Sequence, residues 1–208
     1  MAYNVIAGRS IERINALSDG LFAIAMTLIV LDVHVPPHLS ILTETDLAHA
    51  LGALAPQMVT YLMSFLTLGI FWVGQQAQLN QFKHADRDLT WIQLGFLAAV
   101  AVLPFTTHLL ADFITFKVAM AVYWLNILAL GALLYASWSY AESAGLVLDD
   151  TAPGLARAIR RRIVSAQTFY AVGALLCLVS SYLSIGVIVM IQLYYAVAPR
   201  WRTQRHGA

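Results

Sequence analysis

The sequence predicts an all-α integral membrane protein with six transmembrane helices per subunit. Three observations carry that expectation. Hydrophobic residues make up 60% of the 208 positions and charged residues 11%, against about 45–50% and about 25% in soluble domains. The mean hydropathy is +0.73. Breakers and charges cut the chain into long apolar runs, and at roughly 20 residues per crossing, about six spans with short loops fill it. Residues 1–208 are therefore expected to form one transmembrane domain with no soluble module.

Helix one is expected over 10–35, ended by Pro36-Pro37. It is not a cleavable signal, because it carries Asp19 and lacks a small-residue cleavage site. Helix two is expected over 46–76 with a kink at Pro56. At about 45 Å it must tilt or project from the bilayer. Helix three is expected over 88–110 with Pro104 near its end, and helix four over 113–141. The run 169–198 holds no charge and is too long for one crossing, given that helix five starts near Gly154. A turn is placed at 180–184, giving helices over 154–180 and 184–199.

The basic residues set the orientation. Of the twelve Lys and Arg, all but Lys117 fall on one side of this scheme: Arg9, Arg13, Lys83, Arg87, Arg157, Arg160, Arg161, Arg162, Arg200, Arg202 and Arg205. By the positive-inside rule both termini are cytoplasmic, as an even number of spans requires. A net charge of +1 argues against a nucleic-acid partner. Cys177 is the only cysteine, so no disulfide forms within the chain.

Motifs for catalysis or phosphate binding are absent, and no helix carries a carboxylate pair within one span. His34, His38 and His49 gather at the outer ends of helices one and two. Scattered interface histidines are solvated, so no metal or other cofactor is expected. Helix one is different, since it places Arg13, Ser18 and Asp19 on the same segment as an apolar run. An intramembrane carboxylate must find a partner or face water. Arg13 and Asp19 lie about 120° apart around a helix, so each must look to another helix. Trp72, Gln75 and Gln93 share their depth and are the expected partners. Asp19 then either staples helices together or handles an ion or proton directly. Ile24, Leu28 and Leu31, at i, i+4 and i+7, form one aliphatic stripe that faces lipid, a neighbour or a pore.

Arg13-x-x-x-Leu17-Ser18-Asp19, followed by Phe22-Ala-Ile-x-x-Thr27-Leu-x-Val-Leu31, closely resembles the Arg-x-x-x-Phe-Ser-Asp signature of the endosomal–lysosomal potassium channel family (transmembrane protein 175 type), in its prokaryotic branch. Tyr61-x-x-Ser-Phe65, Trp72, Asp86-x-x-Leu89 and Leu103-Pro-Phe-x-Thr107 extend the likeness over about half the chain. Leu17 departs from the signature's phenylalanine, Gln75 from a histidine and Gln93 from an asparagine. Glutamine still offers a donor and an acceptor but cannot become a cation.

The resemblance implies homotetramers around helix one, with both termini cytoplasmic, in the inner membrane of a bacterium. It also implies a channel for potassium and other monovalent cations, with membrane lipid and further copies of the chain as partners. Ile24, Leu28 and Leu31 would form its apolar constriction, with Thr27 and Asp32 as polar lining. Arg13, Ser18, Asp19, Trp72, Gln75 and Gln93 would form a buried polar network. The alternative is a proton-leak pathway or secondary transporter using Asp19, although no inverted repeat is visible.

Overall fold

The computed structural model describes residues 10–34, 41–151 and 154–197. Seven α-helices lie among them, and no strand. Helix α1 covers Ile11–Leu28 and tightens into a 3₁₀ turn at Ile29–Asp32. Ser10 caps it by accepting from the Arg13 amide at 3.3 Å. Helix α2 is Glu44–Ala53, α3 Ala55–Leu79, α4 Arg87–Asp112 and α5 Lys117–Ser143. Helix α6 is Leu155–Leu175, followed by a 3₁₀ turn at Leu176–Leu178, and α7 is Ser181–Val197.

The expected second helix, 46–76, is two helices. Leu54 closes α2 and opens α3, two residues before the proline. Pro56 lies in the first turn of α3, where its missing N–H leaves no bond unmade, so it starts a helix instead of kinking one. Pro104 lies inside α4, which runs on to Asp112. The Thr106 and Thr107 hydroxyls donate to the Leu103 carbonyl just before it, at 3.0 and 2.8 Å. Such back-bonding helps membrane helices tolerate an internal proline.

The turn expected at 180–184 comes slightly earlier, at 176–180, and Ser184 is already helical. Its hydroxyl donates to the Gly173 carbonyl at 2.7 Å, fastening α7 to α6. The helices meet closely there: a Cβ on Gly173 would lie 2.9 Å from Ile188 Cγ1.

Among the described residues, four segments are long and apolar enough to cross a bilayer: Ile11–Leu31, Ala55–Leu79, Arg87–Asp112 and Lys117–Ser143. This is fewer than the six expected, and the two shortfalls differ in cause. Helix α6 carries Arg157, Arg160, Arg161 and Arg162 in its first half, while α7 is apolar but only 17 residues long.

Most of α1 and α3–α7 share one core containing Phe22, Ile29, Met63, Phe96, Tyr123 and Tyr170. A second cluster, around Trp138, Leu79, Phe82 and Ile14, fills the end where α3 leads into α4. There the two connections are laced together. Lys83 N–H donates to the Leu146 carbonyl at 2.8 Å and Leu148 N–H to the Gln81 carbonyl at 2.9 Å. Lys83 Nζ lies 2.6 Å from Asp149. Asp86 caps α4 through the Leu89 amide at 2.8 Å and accepts from the Tyr140 hydroxyl at 2.6 Å, which gives the Asp86-x-x-Leu89 motif a structural role.

Candidate functional site

Helix α1 has two unlike faces. Ile14, Ser18, Phe22, Ala25 and Ile29 point into the bundle and are buried. Ile24, Leu28 and Leu31 are 60%, 45% and 70% exposed in the single chain. Leu17 (half exposed) and Arg13 lie within about 20° of Ile24 around the helix, so the open stripe runs the helix's full length. Gly20 belongs to it as well, with open space where a Cβ would stand. The Thr27 hydroxyl donates back to the Ile24 carbonyl at 2.8 Å. Asp32 closes the 3₁₀ turn, and its side chain lies outside the described residues.

The buried side of α1 opens a line of hydrogen bonds through four helices. Ser18 Oγ donates to Gln75 Oε1 at 2.5 Å. Gln75 Nε2 donates to Gln93 Oε1 at 2.8 Å, and Gln93 Nε2 to Ser137 Oγ at 2.7 Å. All four side chains are at most 1% exposed. Each glutamine uses its amide once as donor and once as acceptor, so the line closes without an orphan among these atoms.

Asp19 is not in that line. It points about 100° away from Ser18, and its Oδ1 accepts from Trp72 Nε1 at 2.8 Å and Gln76 Nε2 at 3.0 Å. Both residues of the Asp19–Trp72 pair are exposed in the single chain. They border an apolar cleft of about 560 Å³ lined also by Phe22, Met26, Phe65 and Tyr195. Arg13 stands apart from both groups. It is exposed and lines a groove of about 470 Å³ with Leu17, Arg87 and Trp91. The single network expected for Arg13, Ser18, Asp19, Trp72, Gln75 and Gln93 is thus three separate arrangements. The reason is angular, because Arg13, Ser18 and Asp19 leave α1 in three directions.

Sequence reasoning missed Gln76 and Ser137. It also missed a second buried cluster, toward the end where α4 leads into α5. Thr107 Oγ1 donates to Ser64 Oγ at 2.7 Å, and Ser64 Oγ to the Tyr123 hydroxyl at 3.2 Å. Thr67 Oγ1 sits 3.1 Å from the same hydroxyl and accepts from Gln192 Nε2 at 2.7 Å. Ser64 and Thr107 lie in motifs already noted, and that was the available signal. His34 packs near His108 at 6.2 Å between ring centroids, and His38 lies outside the described residues. Among the described residues no three His, Cys, Asp or Glu side chains converge. Cys177 is buried.

Known proteins resemble this chain in sequence and in fold. The sequence profile of the family described as endosomal/lysosomal potassium channel TMEM175 matches residues 13–104. A protein of Streptomyces collinus named as a potassium channel is 35% identical over 193 residues, 88% of this chain and 90% of its own length. One of Chamaesiphon minutus, also named as a potassium channel, is 31% identical over 189 residues, 89% of this chain and 93% of its own. The mouse endosomal/lysosomal proton channel TMEM175 is 34% identical over 98 residues, 45% of this chain but only 20% of that protein. The crystal structure of a lysosomal potassium-selective TMEM175 homologue from Chamaesiphon minutus superposes with a TM-score of 0.78 at 29% identity. It covers 90% of this chain and 97% of the other. These likenesses show that the chain belongs to the TMEM175 family of ion channels and is not an enzyme.

Proposed function

We propose that the chain is a potassium-preferring cation channel, a homotetramer with α1 innermost and a path narrowed by Ile24, Leu28 and Leu31. The observation that supports this reading best is the open stripe of α1. The inward face of the helix is sealed into the subunit, while Ile24, Leu28 and Leu31 stay 60%, 45% and 70% exposed among the described residues. A shared axis gives that face something to line. Rings of Ile and Leu gate by excluding water, and a cation passing them must shed or squeeze its hydration shell. Thr27 and Asp32 are the polar groups of the same path, and Arg13 stands at its cytoplasmic mouth.

In this reading α6 and α7 are the fifth and sixth crossings. The arginines of α6 lie at the cytoplasmic surface of a bacterial inner membrane, and both termini are cytoplasmic. Lipid and neighbouring copies surround the outer faces. Asp19, with Trp72 and Gln76, holds α1 against α3. The bacterial relatives named as potassium channels support the choice of ion.

A second reading, proton conduction, is favoured by the name of the mammalian relatives, which match only part of this chain. Purified protein in liposomes with a potassium gradient and an internal proton indicator separates the two. Potassium efflux that charges the membrane without an uncoupler, and drives proton entry only when one is added, is the expected result. Acidification without an uncoupler and with no potassium flux would overturn the channel reading in favour of protons.

A further inference from the structure

Away from α1, a cavity of about 90 Å³ lies between α3, α5, α6 and α7, and its walls do not match its size. Ile70, Phe71 and Leu134 make it apolar on one side, but Gln78, Gln167 and Tyr170 also line it. Gln78 is 1% exposed, and neither its Nε2 nor its Oε1 has a partner. Gln167 Oε1 and the Tyr170 hydroxyl lack one as well, although the Gln192 amide lies beside Tyr170. Tyr170 is 1% exposed.

Gln167 is held in place on its other side. Its Nε2 donates to the Ile127 carbonyl at 3.2 Å, and its amide lies across Gly131, where a Cβ would come within 1.7 Å of that nitrogen. The absence of a side chain at Gly131 lets Gln167 lie flat on α5 and turn its carbonyl oxygen to the cavity. Four polar atoms on two helices therefore converge on one small space, while the buried amides Gln75 and Gln93 elsewhere in the bundle are bonded to each other.

Buried amides and hydroxyls are rarely left unpaired in a folded protein. A roomy polar cavity with two to four partners is the setting that holds ordered water. We infer that each subunit carries an internal hydration site, a cluster of about three waters bonded to Gln78, Gln167 and Tyr170. The chemistry selects water over the other small occupants. Arg162 at the rim and the lack of a lining carboxylate disfavour a cation, while an acyl chain would leave four polar atoms unsatisfied. The site is independent of the path proposed along α1.

Radiolytic hydroxyl labelling of the full-length protein in nanodiscs reads this directly, because X-rays generate radicals from water bound beside a side chain. Tyr123 is the internal control: it is fully buried and its hydroxyl is bonded to Ser64 and Thr67. Tyr170 is expected to be labelled several-fold faster than Tyr123, although bulk water reaches neither. Gln78→Met should slow Tyr170 labelling and lower the thermal midpoint, since it removes groups that water satisfies. A dry cavity reverses that sign, because replacing an orphaned amide with an apolar side chain stabilises. Equal labelling of the two tyrosines in the unaltered protein, or a Gln78→Met midpoint that rises, would overturn the inference.

Discussion

Gln75→Leu tests the line of bonds behind α1 at its centre. The substitution removes the acceptor of Ser18 and the donor of Gln93, which are 0% and 1% exposed. Each orphaned buried group costs about 1–3 kcal/mol, so the ceiling is about 6 kcal/mol. Ser18 recovers part of this, because a helical serine can turn its hydroxyl onto the carbonyl four residues back. The Gln93 carbonyl has no such alternative, although its Nε2 keeps Ser137. The expected loss is therefore about 2–4 kcal/mol, carried mainly by Gln93. Adding Ser18→Ala removes one orphan, so the double variant should lose less than the sum of the two single variants. A coupling of about 0.5–3 kcal/mol is the range for directly bonded residues. Denaturant titration in mixed micelles, read by tryptophan fluorescence and size exclusion, gives all four corners of the cycle. Additive losses, or a Gln75→Leu variant as stable as the parent, would refute the argument that this line ties α1 to its frame.

Ile24→Ala should raise potassium flux through liposomes and lower the potassium/sodium ratio, by widening an apolar ring. Val30→Ala, exposed on α1 but about 120° from Ile24, should change neither; equal shifts from both would reject the assigned stripe. Ile29 is no control for this comparison, because it is 1% exposed in the core. Ile29→Ala should lower the yield of folded protein on size exclusion, at about 2–5 kcal/mol. Gly173→Leu should separate α6 from α7, since even a Cβ stands 2.9 Å from Ile188; the check is loss of a crosslink between cysteines placed at the two helix surfaces. At the start of α2, the Thr43 side chain and then the Leu42 and Thr43 amides hold Asp46 below the ordinary carboxylate range. Its capping contribution is thus present above the unfolded pKa and is lost as pH falls through the lower folded value. Amide exchange at Asp46 should accelerate across that window, and Asp46→Asn should remove the pH dependence.

What was legible in the sequence was decided by period and charge. The stripe of α1 could be read because three bulky residues recur at helical spacing, and Asp86 because it stands where a helix must begin. The partners of α1 were half legible. Gln75 and Gln93 could be named from depth, but depth does not say which of Ser18 and Asp19 meets them. That is fixed by the rotation of α1 against α3, which depends on packing of Phe22 and Ala25. Gln76 and Ser137 had no signal of their own, since exposed-face and core polar residues look alike in one sequence. The break at Leu54 was misplaced because Pro56 serves equally well as a kink or as the first turn of a new helix. The span count fell short where composition misleads, in a helix whose first half is basic and in another that is apolar but short.

The laced connections near Lys83 and Leu146 have a mechanical consequence. They act as a clasp: two backbone bonds and an ion pair join the α3–α4 hairpin to the α5–α6 hairpin at one end. Sliding one hairpin past the other there would break all three at once. At the opposite end the same two hairpins are joined through the chain itself, by residues 113–116 between α4 and α5, and just inside it by the bonds of Thr107 to Ser64 and of Ser64 to Tyr123. The two hairpins are therefore held at both ends, and neither end is free to splay. Spin labels placed in pairs across the two ends would show a narrow distance distribution at each.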